Sequence, residues 1–262
     1  MNKYLAIVDS KTLVVCVVCA LVSYFCYTFN FSHDLDITMF SIAVIFPLVF
    51  TIREAFKRRD SALKFLSLFK ASMGSVHYCL EQCTKLSAED RTAVHEMLQS
   101  ASRQFLETMN SQGTDNSAAE ATIDNVILFV RNHGDEISRS MAVKIIRFAQ
   151  DVNESMQNTI SLKMHGTPIS MRAYCLVFVF MFPFVFTPTI TYHLPDASVI
   201  ITYGLSILHG FILISLYNVQ GQMENPFDQV GLDDIMMDEY GFKRECSPPL
   251  LKAPKQPRLG KA

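Results

Sequence analysis

The sequence predicts an all-α membrane protein: four transmembrane helices, with a long helical cytoplasmic block between the second and the third. Three observations carry this. Half of the 262 residues are hydrophobic, with 20 Phe and no Trp. The apolar residues gather in four stretches that contain no Asp, Glu, Lys or Arg. And no stretch alternates convincingly at the period of two that marks a strand.

The first stretch, residues 12–29 (TLVVCVVCALVSYFCYTF), is long and lacks a small-residue cleavage site, so it reads as a retained span rather than a signal peptide. The second, 37–52 (ITMFSIAVIFPLVFTI), is short against the roughly 17–25 residues of a span, and it continues as helix past Arg53. No Gly or Pro falls between Pro47 and Gly74, which favours helices that extend the bundle inward over a separate hung domain. Leu66, Phe69, Met73 and Val76 carry an apolar stripe onward. Ser87, followed by Glu89 and Asp90, starts another helix with Val94, Leu98, Ala101 and Phe105 on one face. Residues 111–118 (SQGTDNSA) read as a loop. Two further helices follow, around 119–132 and 136–160, parted by the stop signal Asn132-His133-Gly134. The third and fourth spans are 173–192 and 197–217. Pro47, Pro183 and Pro188 lie inside spans and imply kinks.

The chain is accordingly divided into a first transmembrane hairpin (1–53), a cytoplasmic helical region (54–167), a second hairpin (168–218), an acidic segment (219–246) and a Pro- and Lys-rich tail (247–262) read as disordered. Basic residues set the orientation. The connectors 31–36 and 193–196 have no Lys or Arg, whereas Arg53, Lys57, Arg58 and Arg59 follow the second span and Lys163 and Arg172 precede the third. The positive-inside rule puts both termini and the middle block in the cytoplasm, without specifying the membrane.

Several classes of function are disfavoured. A formal charge of −2 gives no reason to expect a nucleic-acid partner. There is no nucleophile elbow, HExxH, phosphate loop or paired-His spacing, so the chain is not read as an enzyme. The spans contain no acid, against proton-coupled transport of the usual kind. Seven cysteines, four of them in spans, do not form a secreted disulfide framework. Cys79 and Cys83, one turn apart beside His77, are read as free thiols rather than a metal site. His209, in mid-span, is either a proton-relay or gating group or a histidine bonded to Ser206 or a backbone carbonyl. In the second span Ile42, Phe46 and Phe50 recur at i, i+4 and i+8 and share one helix face, drifting by roughly 80°. Spacing alone leaves lipid contact, core packing and pore lining open.

The exit of the fourth span reads YNVQGQMENPFDQVGLDDIMMDEY (217–240), with acids at Asp228, Asp233, Asp234, Asp238 and Glu239. Thr167, Pro168, Ile169 and Arg172 lead into a span containing Phe182-Pro183-Phe184, and the second span ends in REAFKRRDSA (53–62). In this order, from about residue 5 to 245, the motifs resemble the bestrophin family, including its bacterial and algal members. The resemblance implies a homopentamer around one central pore that conducts small anions, chloride first and bicarbonate next. It implies a narrow neck of three apolar rings on the second span; counted back from Arg58, these fall on Ile42, Phe46 and Phe50. Such rings gate by dewetting, and inward-facing Phe edges favour an anion. A second, cytoplasmic constriction falls on Ile146, or on Ile145 if the register slips by one.

The family's calcium clasp would fall on Asn225, Asp228, Asp233 and Asp234, hard oxygen donors after the Asn-Pro-Phe motif. Here Val230, Gly231 and Leu232 interrupt the acidic block of animal members, so no cofactor is required and calcium is only a candidate. Arg59-Asp60 also replaces the family's aromatic pair. The expected partners are small anions, membrane lipids and further copies of the chain. The alternative is a multi-pass membrane scaffold or signalling protein without conductance, which shares every compositional feature.

Overall fold

The computed structural model describes residues 8–111, 113–228 and 234–244. Seven α-helices follow one another: α1 Ser10–Phe29, α2 Ile37–Glu81, α3 Ala88–Asn110, α4 Ser117–Asn132, α5 Arg139–Met164, α6 Ile169–His193 and α7 Val199–Glu224. A short 3-10 turn, Met237–Tyr240, comes last, and there is no strand among the described residues. Four helical stretches are long and apolar enough to cross a membrane: α1, α2, the Arg139–His193 stretch that contains α6, and α7.

Local chemistry sets most of the ends. Asp9 caps α1, accepting from Ser10 N–H at 2.6 Å while Thr12 Oγ1 accepts from Asp9 N–H at 3.3 Å. At its far end Asn30 takes a left-handed conformation (φ 49°), which asparagine tolerates better than other side chains, and its N–H reaches Cys26 O. Asp36 accepts from Thr38 N–H at 2.8 Å, and its hydrogen bonds with Thr38 hold its carboxyl below the ordinary range. Ser87 Oγ accepts from Asp90 N–H at 3.0 Å, as the sequence leads one to expect for the start of α3.

Two boundaries differ from expectation. α4 begins at Ser117, inside the expected loop, because Asp115 Oδ1 takes the Ser117 N–H at 3.0 Å. α5 begins at Arg139 rather than near 136: His133 O accepts from both Glu136 and Ile137 N–H, closing a turn that delays the helix until Ser138 O takes over. It then runs on to Met164. The expectation that α2 continues beyond Arg53 holds: its 45 residues are unbroken, about 68 Å at 1.5 Å per residue, more than twice a ~30 Å hydrocarbon core. Pro47, Pro183 and Pro188 all sit inside helices.

The chain forms two compact units. Among the described residues, unit 1 takes in 8–67, 109–111, 113–114, 157–228 and 234–239, and unit 2 takes in 68–108, 115–156 and 240–244. In unit 1, α1 packs on α6 and α7, and α6 on α7. Val15 and Cys19 of α1, Val44 and Leu48 of α2, Cys175, Val179 and Phe182 of α6, and Leu213 and Ile214 of α7 share one core. These helices are apolar outside as well: Leu13, Leu21, Phe184 and Ile200 are exposed. Such all-round apolarity suits lipid, not water.

Unit 2 is built differently. α4 buries Ala119, Ile123, Val126 and Val130, and α5 buries Ile145, Ala149, Val152 and Met156. Both runs follow the i, i+4, i+7 rhythm of an amphipathic helix with a wet back. Phe69 of α2 and Phe105 of α3 meet in this core with ring centroids 4.7 Å apart. The expected stripes Phe69, Met73, Val76 and Val94, Leu98, Ala101, Phe105 are all buried. The six described cysteines are free thiols; Cys246 and the tail from 247 lie outside the described residues.

Candidate pore face and its charged anchor

The membrane part of α2 has two faces with opposite fates. Val44, Leu48, Thr51 and Ala55 are at most 2% exposed. Taking about 100° per residue, Leu48, Thr51 and Ala55 lie within about 40° of Val44 round the helix, while Ile42, Phe46 and Phe50 lie about 160–240° away. The three are 53%, 58% and 48% exposed. Intramolecular core packing is therefore not what holds them. Phe46 and Phe50 meet edge to face, centroids 5.2 Å apart, an arrangement their quadrupoles favour. On the buried face Thr51 Oγ1 donates to Leu48 O at 2.8 Å, so its hydroxyl is satisfied within the helix.

Ile145 is fully buried in the core of unit 2, while Ile146 beside it is half-buried. Of the two, Ile146 is the one with surface left for another contact.

After α7, the Asn-Pro-Phe motif makes a tight turn. Asn225 Oδ1 accepts from Phe227 N–H at 3.4 Å, Asn225 Nδ2 donates to Asp228 Oδ2 at 3.2 Å, and Pro226 O accepts from Ile235 N–H at 2.9 Å. Phe227 is 2% exposed and anchors the turn. Asp234 is half-buried, Asp238 and Glu239 are exposed, and Asp233 lies outside the described residues. Among the described residues, Asp228 and Asp234 join no group of three converging His, Cys, Asp or Glu donor atoms.

Just before this motif sits a residue the sequence reading left without a role, Glu224. Its side chain is 11% exposed and binds Arg172 Nη1 at 2.9 Å through Oε2. Its Oε1 accepts from Thr167 N–H at 3.1 Å and faces Gly166 so closely that a Cβ there would come within 3.0 Å. Arg58 belongs to the same cluster: Nη2 donates to Leu162 O at 2.6 Å. Burial draws the Arg58 guanidinium below its usual value, and the Glu224 charge offsets part of that. One carboxylate thus ties together the exit of α2, the α5–α6 turn, the start of α6 and the end of α7. Nearby, Lys163 Nζ donates to Met109 O, Ser111 O and Gly113 O, wrapping the α3–α4 loop round an ammonium. Residues counted for topology turn out to be structural anchors.

His209 Nδ1 lies 2.9 Å from Leu205 O, and its ring sits 4.3 Å from that of Phe186. Of the two expected bonding options it takes the backbone carbonyl; Ser206 Oγ pairs instead with Thr187 Oγ1 at 2.7 Å, across α6 and α7. Asn218 Nδ2 donates to Thr12 Oγ1 at 3.0 Å, a second polar clasp, between α7 and α1. Cys83 Sγ donates to Cys79 O at 3.3 Å, and burial pushes both thiols up, away from the thiolate a metal would need.

No family model and no curated relative matches the chain. Solved structures do. Three point variants of a bacterial bestrophin homologue from Klebsiella pneumoniae superpose with TM-scores of 0.72, 0.71 and 0.72 at 11%, 12% and 12% identity. Each comparison covers 88% of this chain and 95%, 95% and 93% of the other. In fold, this chain is bestrophin-like.

Proposed function

We propose that the chain is one subunit of an anion-conducting pore in a membrane, with α2 lining the neck. The observation that carries this is the two-faced α2. One face is committed to the subunit's own core; the opposite face offers three large apolar side chains at the spacing of stacked rings. Five copies round an axis would bring Ile42, Phe46 and Phe50 into three hydrophobic collars, whose dewetting would gate flow. Edge-on Phe rings would favour a weakly hydrated anion, chloride ahead of bicarbonate. In this reading the basic residues after α2 and before α6 keep both termini and unit 2 on the cytoplasmic side, and Ile146 contributes a second constriction. Calcium at Asn225, Asp228, Asp233 and Asp234 is the candidate regulator, and conduction would not require it.

The test is current through purified protein in a planar bilayer under a chloride gradient. A reversal potential that tracks chloride supports the pore. Silence over a wide range of calcium and pH, or a monomer on sizing in detergent, leaves the membrane scaffold as the better reading.

A further inference from the structure

Unit 2 carries a second constellation, far in sequence from the neck residues. Asp90 at the start of α3, His133 at the end of α4 and Glu136 in the turn beyond it bring one donor atom each to within 4.8 Å of one another. They form the one such group among the described residues. We propose that they bind a first-row transition-metal dication, zinc foremost, which would clasp the start of α3 to the end of α4.

Each donor is prepared for that role. The Nδ1 of His133 is 2.9 Å from Phe129 O. A carbonyl can only accept, so Nδ1 carries a proton; in the neutral ring that arrangement leaves the lone pair on Nε2, the tautomer that ligates metals here. The ring is held by stacking on Phe129, centroids 4.0 Å apart. Asp90 has divided duties: Oδ2 accepts from Ser87 Oγ at 2.6 Å, fixing the carboxylate, and Oδ1 faces His133 Nε2 at 3.8 Å. Glu136 is placed by the turn whose N–H groups converge on His133 O, and its Oε2 is buried without a hydrogen-bond partner in the protein.

An ordinary ion pair between His133 and Asp90 explains less. At 3.8 Å it is too long for a hydrogen bond, it needs the imidazole charged, and it leaves the buried Glu136 oxygen unanswered. Donors about 2.0–2.2 Å from a tetrahedral zinc sit about 3.4 Å apart, so a small closure of the group suffices. One imidazole with two carboxylates suits a borderline cation, whereas calcium takes 6–8 oxygens. Three protein donors leave the fourth position to water.

The experiment uses the full chain in detergent, stripped with a chelator and dialysed, then titrated with Zn2+ by calorimetry and with Co2+ by its visible absorption. The expected result is one Zn2+ per chain, Co2+ bands of low coordination number, and a melting temperature that rises with Zn2+. His133→Ala and Glu136→Gln should each weaken binding by about tenfold or more, while Cys79→Ser/Cys83→Ser leaves it unchanged. Since Glu136→Gln preserves shape, its loss of affinity does not depend on misfolding. Unaltered affinity in both site variants, loss of zinc in the cysteine variant, or no zinc bound at all would overturn the assignment. Chloride current is not a readout, so this inference stands or falls apart from the pore.

Discussion

Replacing Gly210 with alanine would put a methyl group where Cys19 Sγ already sits. At this point α7 approaches α1 so closely that a Cβ on residue 210 overlaps the sulfur and comes within 3.3 Å of Val15 Cγ1. Cys19 and Val15 are both fully buried, so neither has room to yield. Relief requires the two helices to part, and overpacking of this kind costs about 1–3 kcal/mol. Alanine's higher helix propensity returns at most about 1 kcal/mol, leaving a net loss of about 0–3 kcal/mol. Cys19→Ala removes the obstructing atom; alone it leaves a small void, worth about 1 kcal/mol. The two changes should therefore be coupled, with the double variant more stable than the sum of the singles by at least about 1 kcal/mol. The assay is a double-mutant cycle on unfolding of the detergent-solubilised chain. If Gly210→Ala is stabilising, or if Cys19→Ala gives no rescue, the close approach of α1 and α7 is not what makes glycine necessary here.

The faces of α2 should separate stability from function: Leu48→Ala should destabilise the subunit by about 2–5 kcal/mol. Phe46→Ala should change the fold stability of the isolated subunit by no more than about 0.5 kcal/mol while altering conductance or ion preference, and unchanged currents in the Ile42/Phe46/Phe50 triple alanine variant would dismiss the neck. Glu224→Gln keeps an acceptor for Thr167 N–H but removes the charge facing Arg172 and Arg58. It should cost about 1–3 kcal/mol, discounted because Arg172 is half-exposed, and thermal unfolding would show it. Phe242 packs 5.5 Å from the rings of both His77 and His95, and its N–H donates to Ser102 Oγ at 2.9 Å. Phe242→Ala should cost about 3–5 kcal/mol of unit 2 stability and raise hydrogen exchange at its own amide; unchanged exchange there would contradict the packing.

What the sequence disclosed was whatever repeats along one helix. The stripes of α2 and α3 were legible because burial recurs every three to four residues, and the apolar runs of α1, α6 and α7 because lipid imposes no polar face. The start of α3 was legible because Ser87 and Asp90 lie one turn apart. The late start of α5 was not, since a His133 carbonyl collecting two N–H groups leaves no mark in residue type. Nor was the Glu224 cluster: Arg58, Leu162, Thr167 and Arg172 reach it from four different places, and only the fold makes them neighbours. The same holds for Asp90, His133 and Glu136. For Ile42, Phe46 and Phe50, spacing gave a shared face but not its direction. That direction follows from Val44, Leu48 and Ala55, which take up the other side.

The opposed faces of α2 also constrain how the neck would work. Turning this helix to swing Phe46 and Phe50 away from a pore would drag Val44 and Leu48 out of the core they share with Val15, Cys175, Val179 and Ile214, and would lift Thr51 and Ala55 out of their buried positions. Phe46 and Phe50 are exposed and touch each other edge to face, so their own χ angles would be the cheaper freedom. In such a pore the helix would act as a keyed shaft, locked by its inner side. Opening and closing would then be settled by a swing of aromatic side chains against a fixed backbone.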